Sequence, residues 1–425
     1  MRIEDTDLER SDPKYEKDII EGLKWLGLDW DEGPYRQSER LDIYEKYLKQ
    51  LLEKGDAYYC ACSKEELETE RQIQIKRGEA PKYSGKCRDK NIPAEKAQLI
   101  RFKMPAEIVF FDDLIRGRIS FDTALFGDLA IAKNLRTPLY NFAVVVDDER
   151  MKISHVIRGE DHIANTPKQI LMQRVLGFQT PQYAHLPLIL DPDRSKMSKR
   201  NAATSVQDYK NDGYLPETLI NFIALLGWHS QNDQEVFSRQ ELIKEFKLSR
   251  VQKAGAVFNL EKLDWLNAQY IKKADIKELR AALGDLFGEE ILNFPFIDKI
   301  IELSRERISK LSEFKNINDF FFELPDYPAG LLIWKTAPKE KILENLRTVR
   351  EMLQSALENE FNRKNLERFI MPFADTAGRG ETLWPLRAAL SGKEKSPGPF
   401  EIMDVLGKEE TLKRIDIALE KLKEK

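Results

Sequence analysis

The chain has 425 residues, 42% of them hydrophobic and 33% charged, which suits a soluble globular protein of two or three domains and excludes a disordered or collagen-like chain. With 68 Lys and Arg against 72 Asp and Glu the net charge is −4, so no overall basic character marks a nucleic-acid binder. Five basic and eleven acidic residues fall within positions 1–35, which leaves the remainder mildly positive and able to carry local basic strips. No apolar run approaches the ~20 residues of a membrane span. The N-terminal "MRIEDTD" does not read as a secretory leader, and three cysteines in so long a chain fit a reducing cytoplasm.

In chain order, the first helical pattern is "PKYEKDIIEGLKWL" at 13–26. Ser11 or Asp12 caps it, Pro13 opens it and Gly27 closes it, with Tyr15, Ile19, Leu23 and Leu26 as its apolar stripe. Between about 60 and 130 the pattern is short and mixed, as in an inserted subdomain, and it holds all three cysteines: Cys60, Cys62 and Cys87. Three soft ligands at C-x-C-x24-C spacing need one more for tetrahedral zinc; the alternative is three buried thiols. "NFAVVVDD" and "ISHVIRG" read as strands. "NTPKQILMQRVLG" follows as a helix with Thr166 as cap, Pro167 at its first position and Gly177 as stop, and "YAHLPLIL" is the next strand. Strand, helix and strand in that order predict a parallel crossover, with ligands beyond the carboxyl ends of the strands. Asp147, Arg158, Glu160 and the loop 191–200 then surround one crevice.

That loop, within "DPDRSKMSKRNAATS", brings together Arg194, Lys196, Lys199 and Arg200. An arbitrary K-x-x-K is a solvated turn more often than a site. At the end of a core strand, however, Lys196 and Lys199 can converge on one polyphosphate. A contact that tightens only as the phosphorus takes a fifth ligand accelerates reaction and does not merely bind. From about 276 the periodicity is helical almost throughout and predicts a separate all-α domain, closed by a stripe of Leu412, Ile415, Leu419 and Leu422.

Read together, "KMSKR", "RIEDTDLERS", "GLDWDEGPYRQSERL", "LYNFAVVVDDERMKISHVIRGEDHIANTPKQILM", "AHLPLIL" and "GYLPETLINFIALLGW" resemble the bacterial and organellar glutamyl-tRNA synthetases, class I aminoacyl-tRNA synthetases. The resemblance covers essentially the whole chain. It implies an α/β fold: a class I Rossmann-like parallel sheet at 1–59 and 131–190 and an inserted acceptor-binding, zinc-type subdomain at 60–130. A stem-contact domain with the lysine loop at 191–275 and a helical anticodon-binding domain at 276–425 complete it. It also implies ATP with Mg2+, L-glutamate and tRNA(Glu) as ligands, and a cytoplasmic monomer with no membrane role.

The resemblance assigns residues as well. Glu4 holds the substrate's α-amino group, Tyr140 lines the amino-acid pocket, and Arg158 takes the glutamate side chain through two parallel bonds that glutamine's amide cannot return. Lys199, with Lys196 in support, acts on the phosphate, while His162 and Asn165 lie near adenosine. His155, His185 and His229 read as structural. For zinc the family often places a histidine two residues beyond the last cysteine, where this chain has Asp89. Tyr83 is the alternative fourth ligand to Cys60, Cys62 and Cys87. "LWPLRAALSGKEKSPGPFEIMDVLG" resembles the family's anticodon-binding helices, which glutamyl-queuosine tRNA(Asp) relatives lack.

One expected piece has no counterpart. The family's glycine-flanked histidine signature matches no string here, and "MRIEDTD" corresponds to its second strand, so a first strand–helix unit of roughly 30–40 residues is expected to be missing. Loss of that half of the ATP site predicts that adenylation fails. Met1 would then be an internal start, or the gene interrupted. The alternatives are a non-catalytic tRNA-binding paralogue and, less in keeping with the long helical half, a glutamyl-queuosine enzyme.

Overall fold

The computed structural model of the protein describes residues 1–7, 11–197 and 205–423. These form two compact units: Met1–Gln207 with Leu219–Leu260, and Asp208–Thr218 with Glu261 onward. No helix among the described residues is long and apolar enough to cross a membrane.

In the first unit β1 (Arg2–Ile3) pairs in parallel with β2 (Tyr35–Arg36), with α1 (Pro13–Trp25) between them in sequence. After α2 (Leu41–Glu53) comes an antiparallel sheet ordered β3 (Ala57–Cys60), β4 (Leu99–Phe102), β7 (Leu129–Asn134), β8 (Thr137–Pro138), with α3 (Lys64–Lys76) following its first strand. A second sheet is ordered β6 (Gly117–Asp122), β5 (Ile108–Asp113), β10 (Gln182–Leu186), β9 (His155–Gly159). There β9 and β10 are parallel, as the crossover reading requires, and α5 (Thr166–Leu176) connects them. The hairpin β5–β6 comes from the segment expected to be an insertion, yet it extends this sheet, with Tyr183 paired in parallel to Asp113. Gly177 ends α5 at φ 75°, a left-handed conformation that costs glycine no Cβ clash.

Several local expectations are corrected. "NFAVVVDD" is no strand: it lies within α4 (Tyr140–Arg150), whose Phe142 to Asp147 are all buried. A helix enclosed on every side shows no polar face, so its apolar run mimics a core strand. Asp147 therefore lies inside the fold and not at the crevice. On α1, Asp12 is the cap, but Tyr15 and Ile19 are more than half exposed; Gly22 and Leu26 are the buried positions. The cap position of α5 is Asn165, which makes no side-chain cap bond, and Thr166 is the first helical residue, its hydroxyl accepting from Arg158. Pro187 has no N–H to donate, and "YAHLPLIL" breaks around it into β10 and β11 (Ile189–Leu190).

The chain continues through α6 (Val206–Asn211), α7 (Pro216–Leu225), α8 (Arg239–Glu245) and β12 (Ala256–Val257), which pairs in parallel with β11. The second unit is helical, as expected. It comprises α9 (Leu260–Lys273), α10 (Ile276–Phe287), α11 (Ile297–Ser304), α12 (Phe314–Phe322), α13 (Lys339–Ser355), α14 (Arg363–Ala377), α15 (Arg379–Ser391) and α16 (Pro399–Lys423). Ile415, Leu419 and Leu422 of the terminal stripe are buried in its core.

Asp147 anchors the first unit. Its fully buried carboxylate accepts from Tyr44 Oη at 2.6 Å, Gln37 Nε2 at 2.9 Å and Arg40 Nε at 2.9 Å. Charge burial is tolerated because donors replace the lost water. Replacing Asp147 by Ala strands all three donors. The expected outcome is a loss of about 3–5 kcal/mol, read as a lower urea midpoint for the first unit.

Candidate active site

Strands β1 and β9 both contribute to the wall of a cavity of about 1190 Å³ whose lining includes Arg2, Glu4, Tyr140, Asp148 and Arg158. Three residues expected to hold one amino acid thus line one cavity, although they are up to 154 positions apart in the chain.

Arg158 is on β9, directly paired with His185 on β10, so their side chains project from the same face. Its Nη2 donates to Thr166 Oγ1 at 2.8 Å and Gln169 Oε1 at 2.9 Å, and its Nε donates to His185 Nε2 at 3.3 Å. Thr166 and Gln169 are three apart on α5, hence on one face of the helix. Nε and Nη2 are thus committed to the protein, and the same guanidinium also acts on the Tyr140 hydroxyl, opposing the rise of its pKa. The fork is therefore partly spent on holding itself still, a use that residue type and position did not reveal.

Tyr140 opens α4, and its hydroxyl lies 3.4 Å from His162 Nδ1, which Asn165 Nδ2 also approaches at 3.3 Å. Burial first, then the Glu4 charge, raises the Tyr140 pKa and keeps it a neutral donor. Glu4 accepts from Arg2 Nη2 at 2.8 Å and Nε at 3.2 Å, while Arg2 Nη1 donates to Asp148 Oδ1 at 2.8 Å. Burial raises the Asp148 pKa and the Arg2 cation opposes that rise.

The other expected residues distribute as follows. His162 supports Tyr140 and is not part of the cavity lining. Glu160 is occupied structurally, ion-paired with Arg116 (Nη2–Oε2 2.6 Å) and accepting from the Leu188 N–H at 3.0 Å. At the base of the basic loop, Lys196 bridges back to Leu190, and its Nζ is 3.5 Å from Asp161 Oδ2 on the exposed surface. Lys199 and Arg200 lie outside the described residues. Arg2, Asp148, Thr166 and Gln169 are participants that the sequence reading missed. The signal for the last two was present: polar side chains one turn apart on a buried helix need partners.

A second constellation is built from Cys60, Cys62 and Cys87, all buried, with their Sγ atoms within 4.8 Å of one another. The Tyr83 hydroxyl is 3.4 Å from Cys60 Sγ and 3.7 Å from Cys62 Sγ, and it accepts the Cys87 N–H at 2.9 Å. Asp89 is exposed and outside this group. Tetrahedral bonds of ~2.3 Å place sulfurs roughly 3.8 Å apart, and the Cys62–Cys87 separation is 3.5 Å. Burial pushes the Cys62 thiol up to about 11. Three thiols and a phenol so disposed suit a thiophilic divalent ion.

Comparison with known proteins points the same way. Residues 1–265 match the family model of the catalytic domain of class I (E and Q) tRNA synthetases, and residues 260–419 match an anticodon-binding domain. The glutamate–tRNA ligase of Thermodesulfovibrio yellowstonii is 44% identical, covering 98% of this chain and 90% of the relative. Glutamate–tRNA ligase 1 of Syntrophomonas wolfei is 42% identical over 99% of this chain and 89% of the relative. The crystal structure of a glutamate tRNA ligase from Elizabethkingia meningosepticum in complex with its amino acid superposes with a TM-score of 0.86 at 34% identity, covering 99% of this chain and 92% of the other.

Arg2 holds Glu4 and Asp148 at once, which gives a direct test of the cavity's charge balance. In Arg2→Met the Asp148 carboxyl loses its counterion and is expected to titrate higher than in the wild type, read from its carboxyl 13C shift against pH.

Proposed function

The chain belongs to the class I tRNA synthetase family of the glutamate–tRNA ligases, and from that footing we propose that it charges tRNA(Glu) with L-glutamate in the Glu4–Tyr140–Arg158 cavity. The glutamate α-carboxylate attacks the α-phosphorus of ATP, forming glutamyl-adenylate and releasing pyrophosphate. A hydroxyl of the tRNA's terminal ribose then takes the glutamyl group and AMP leaves. Magnesium bound with the nucleotide would neutralise part of its phosphate charge. The observation that carries this reading is the meeting of one anion, one phenol and one guanidinium around a single cavity.

Each group has a task its chemistry suits. Glu4 takes the α-ammonium, Arg158 takes the γ-carboxylate, and the Tyr140 hydroxyl supplies a second donor to that carboxylate. Glutamine is rejected because its amide leaves a desolvated guanidinium unpaired, a defect that costs roughly 10⁴-fold in comparable sites. Lys199 is assigned to the transferring phosphate, with Lys196 beside it. Nothing in the match to relatives supports the loss of activity expected from the sequence. Segment 60–130 is assigned to the acceptor end and 276–425 to the anticodon, with 191–275 on the stem between.

Cys60, Cys62, Cys87 and Tyr83 are assigned to a structural zinc ion, which would tie the start of this inserted segment to the loop at 83–87. Because the ligands must shed protons, affinity for zinc falls as pH falls. Chelator challenge with a colorimetric zinc reporter is expected to release one equivalent from wild type, and Cys87→Ser should hold at least tenfold less tightly; a wild type without zinc removes this assignment.

The functional reading is tested by glutamate-dependent ATP–pyrophosphate exchange in the presence of tRNA. Residues 1–425 should support exchange with glutamate and not with glutamine. Arg158→Lys should raise the glutamate KM by about 10²-fold, the worth of one or two charge-assisted bonds. Absence of exchange with a folded, tRNA-binding protein would sink the catalytic reading and leave the non-catalytic one.

A further inference from the structure

One buried histidine plays no part in the chemistry above. His185 on β10 has no exposed surface, yet it touches the guanidinium on which the site depends. Its Nδ1 lies 2.6 Å from Asp113 Oδ2 at the end of β5, and its Nε2 lies 3.3 Å from Arg158 Nε and 3.1 Å from Thr166 Oγ1. An ionised carboxylate only accepts, so Nδ1 carries the proton and Nε2 offers its lone pair. Arginine only donates, which suits that tautomer and not the other. Thr166 closes the triangle: it accepts from Arg158 Nη2 at 2.8 Å, and its own proton has His185 Nε2 at 3.1 Å as its nearer acceptor and the His162 carbonyl at 3.5 Å as its farther one.

Asp113 is fixed in turn. Its Oδ1 accepts the backbone N–H groups of Ile115 at 3.0 Å and Arg116 at 2.9 Å, and its Oδ2 accepts the His185 N–H at 3.1 Å. Burial works to raise this carboxyl, but the amide donors and the imidazole outweigh it and hold it below its ordinary value. The buried strand end therefore presents a permanent anion to one side of the ring, and the ring presents a lone pair to Arg158 on the other.

We propose that Asp113 and His185 form a positioning relay that fixes the Arg158 guanidinium for an acidic substrate, and that protonation of His185 releases it. The proposal rests on the reading of Arg158 as the cation that binds glutamate. An imidazolium would set Nε2–H against the Arg158 Nε–H, donor against donor and charge against charge. The charged and titratable groups that face the ring are Asp113 from β5 and Arg158 from β9. Tyr183 stacks on it at 6.1 Å, and Arg116, paired with Glu160, donates from Nε to the His185 carbonyl at 3.3 Å. Burial disfavours the charged ring most, Asp113 favours it, and Arg158 and Arg116 disfavour it; the balance lies below the ordinary histidine value. The relay is thus intact at pH 7. As pH falls through that lowered value, the arrangement and the stability that the neutral ring contributes are lost together.

The experiment pairs three variants with L-glutamate as the probe. Asp113→Asn keeps a carbonyl for the backbone amides but turns an N–H₂ toward Nδ1, which forces the proton to Nε2. His185→Gln removes the titrating ring. Arg158→Lys tests the underlying reading. Calorimetric affinity for L-glutamate and the glutamate and ATP KM values are measured from pH 5.5 to 8, where the free amino acid's side chain remains ionised. Asp113→Asn and His185→Gln are each expected to weaken glutamate binding about tenfold with the ATP KM unchanged. The wild-type affinity should fall toward pH 5.5 and the His185→Gln affinity should stay flat.

If Arg158→Lys loses glutamate while the other two stay within twofold of wild type, the relay is wrong and the site reading survives. If Arg158→Lys also stays within twofold, both fall. Histidine 15N shifts of the wild-type protein at pH 7 supply a check that needs no variant to fold: a protonated Nδ1 and bare Nε2 on His185 support the relay, and the opposite tautomer overturns it.

Discussion

The site depends on holding a guanidinium still at the end of a parallel strand. Arg158 is long and carries up to about 2 kcal/mol of rotamer entropy, so an unrestrained version would lose much of its value in a site. Here that entropy is spent during folding. Bonds to Thr166 and Gln169 from α5 and to His185 from β10 define the plane of the fork before any ligand arrives. The cost appears elsewhere, as polar side chains on a buried helix and as a histidine and an aspartate enclosed on the two interior strands of the sheet. Thr166, Gln169, His185 and Asp113 each have a named partner, as buried polar groups usually do.

Another part of the cavity lining follows a related logic with the sign reversed. Arg2 bridges Glu4 and Asp148, so two carboxylates share one cation within the cavity lining. A ligand ammonium arriving at Glu4 meets a carboxylate already held in place, and an anion would meet repulsion. A cavity lined by a shared-cation carboxylate pair and a held guanidinium has the charges that the proposed zwitterion with an additional negative group would need. Charge arrangement, more than shape, supports the preference for an acidic amino acid. The helical second unit matches an anticodon-binding domain over residues 260–419.

Much of this was legible in the sequence, and the failures have physical causes. The strand–helix–strand order around "ISHVIRG", the glycine stop at Gly177 and the helical half after 276 follow from periodicity and capping, which are local properties. "NFAVVVDD" misled because complete burial erases the polar face that distinguishes a helix from a core strand. The α1 stripe misled in the opposite way: amphipathic spacing says which residues share a face, not which face is covered. Motif resemblance singled out Glu4, Tyr140 and Arg158, which line one cavity, because each sits in a recognisable local string. Arg2, Asp148, Thr166 and Gln169 escaped because their roles exist only through neighbours distant in sequence. Lys199 carries the sequence argument for phosphate chemistry alone, since it lies outside the described residues.

A crystal structure of residues 1–425 soaked with L-glutamate addresses the matter most directly. The γ-carboxylate should lie within hydrogen-bond distance of the Arg158 guanidinium and the Tyr140 hydroxyl, with the α-ammonium on Glu4 and the Thr166, Gln169 and His185 bonds to Arg158 retained. Glutamate ordered away from Arg158, or an Arg158 that must abandon those three partners to reach it, is the outcome incompatible with a guanidinium positioned in advance.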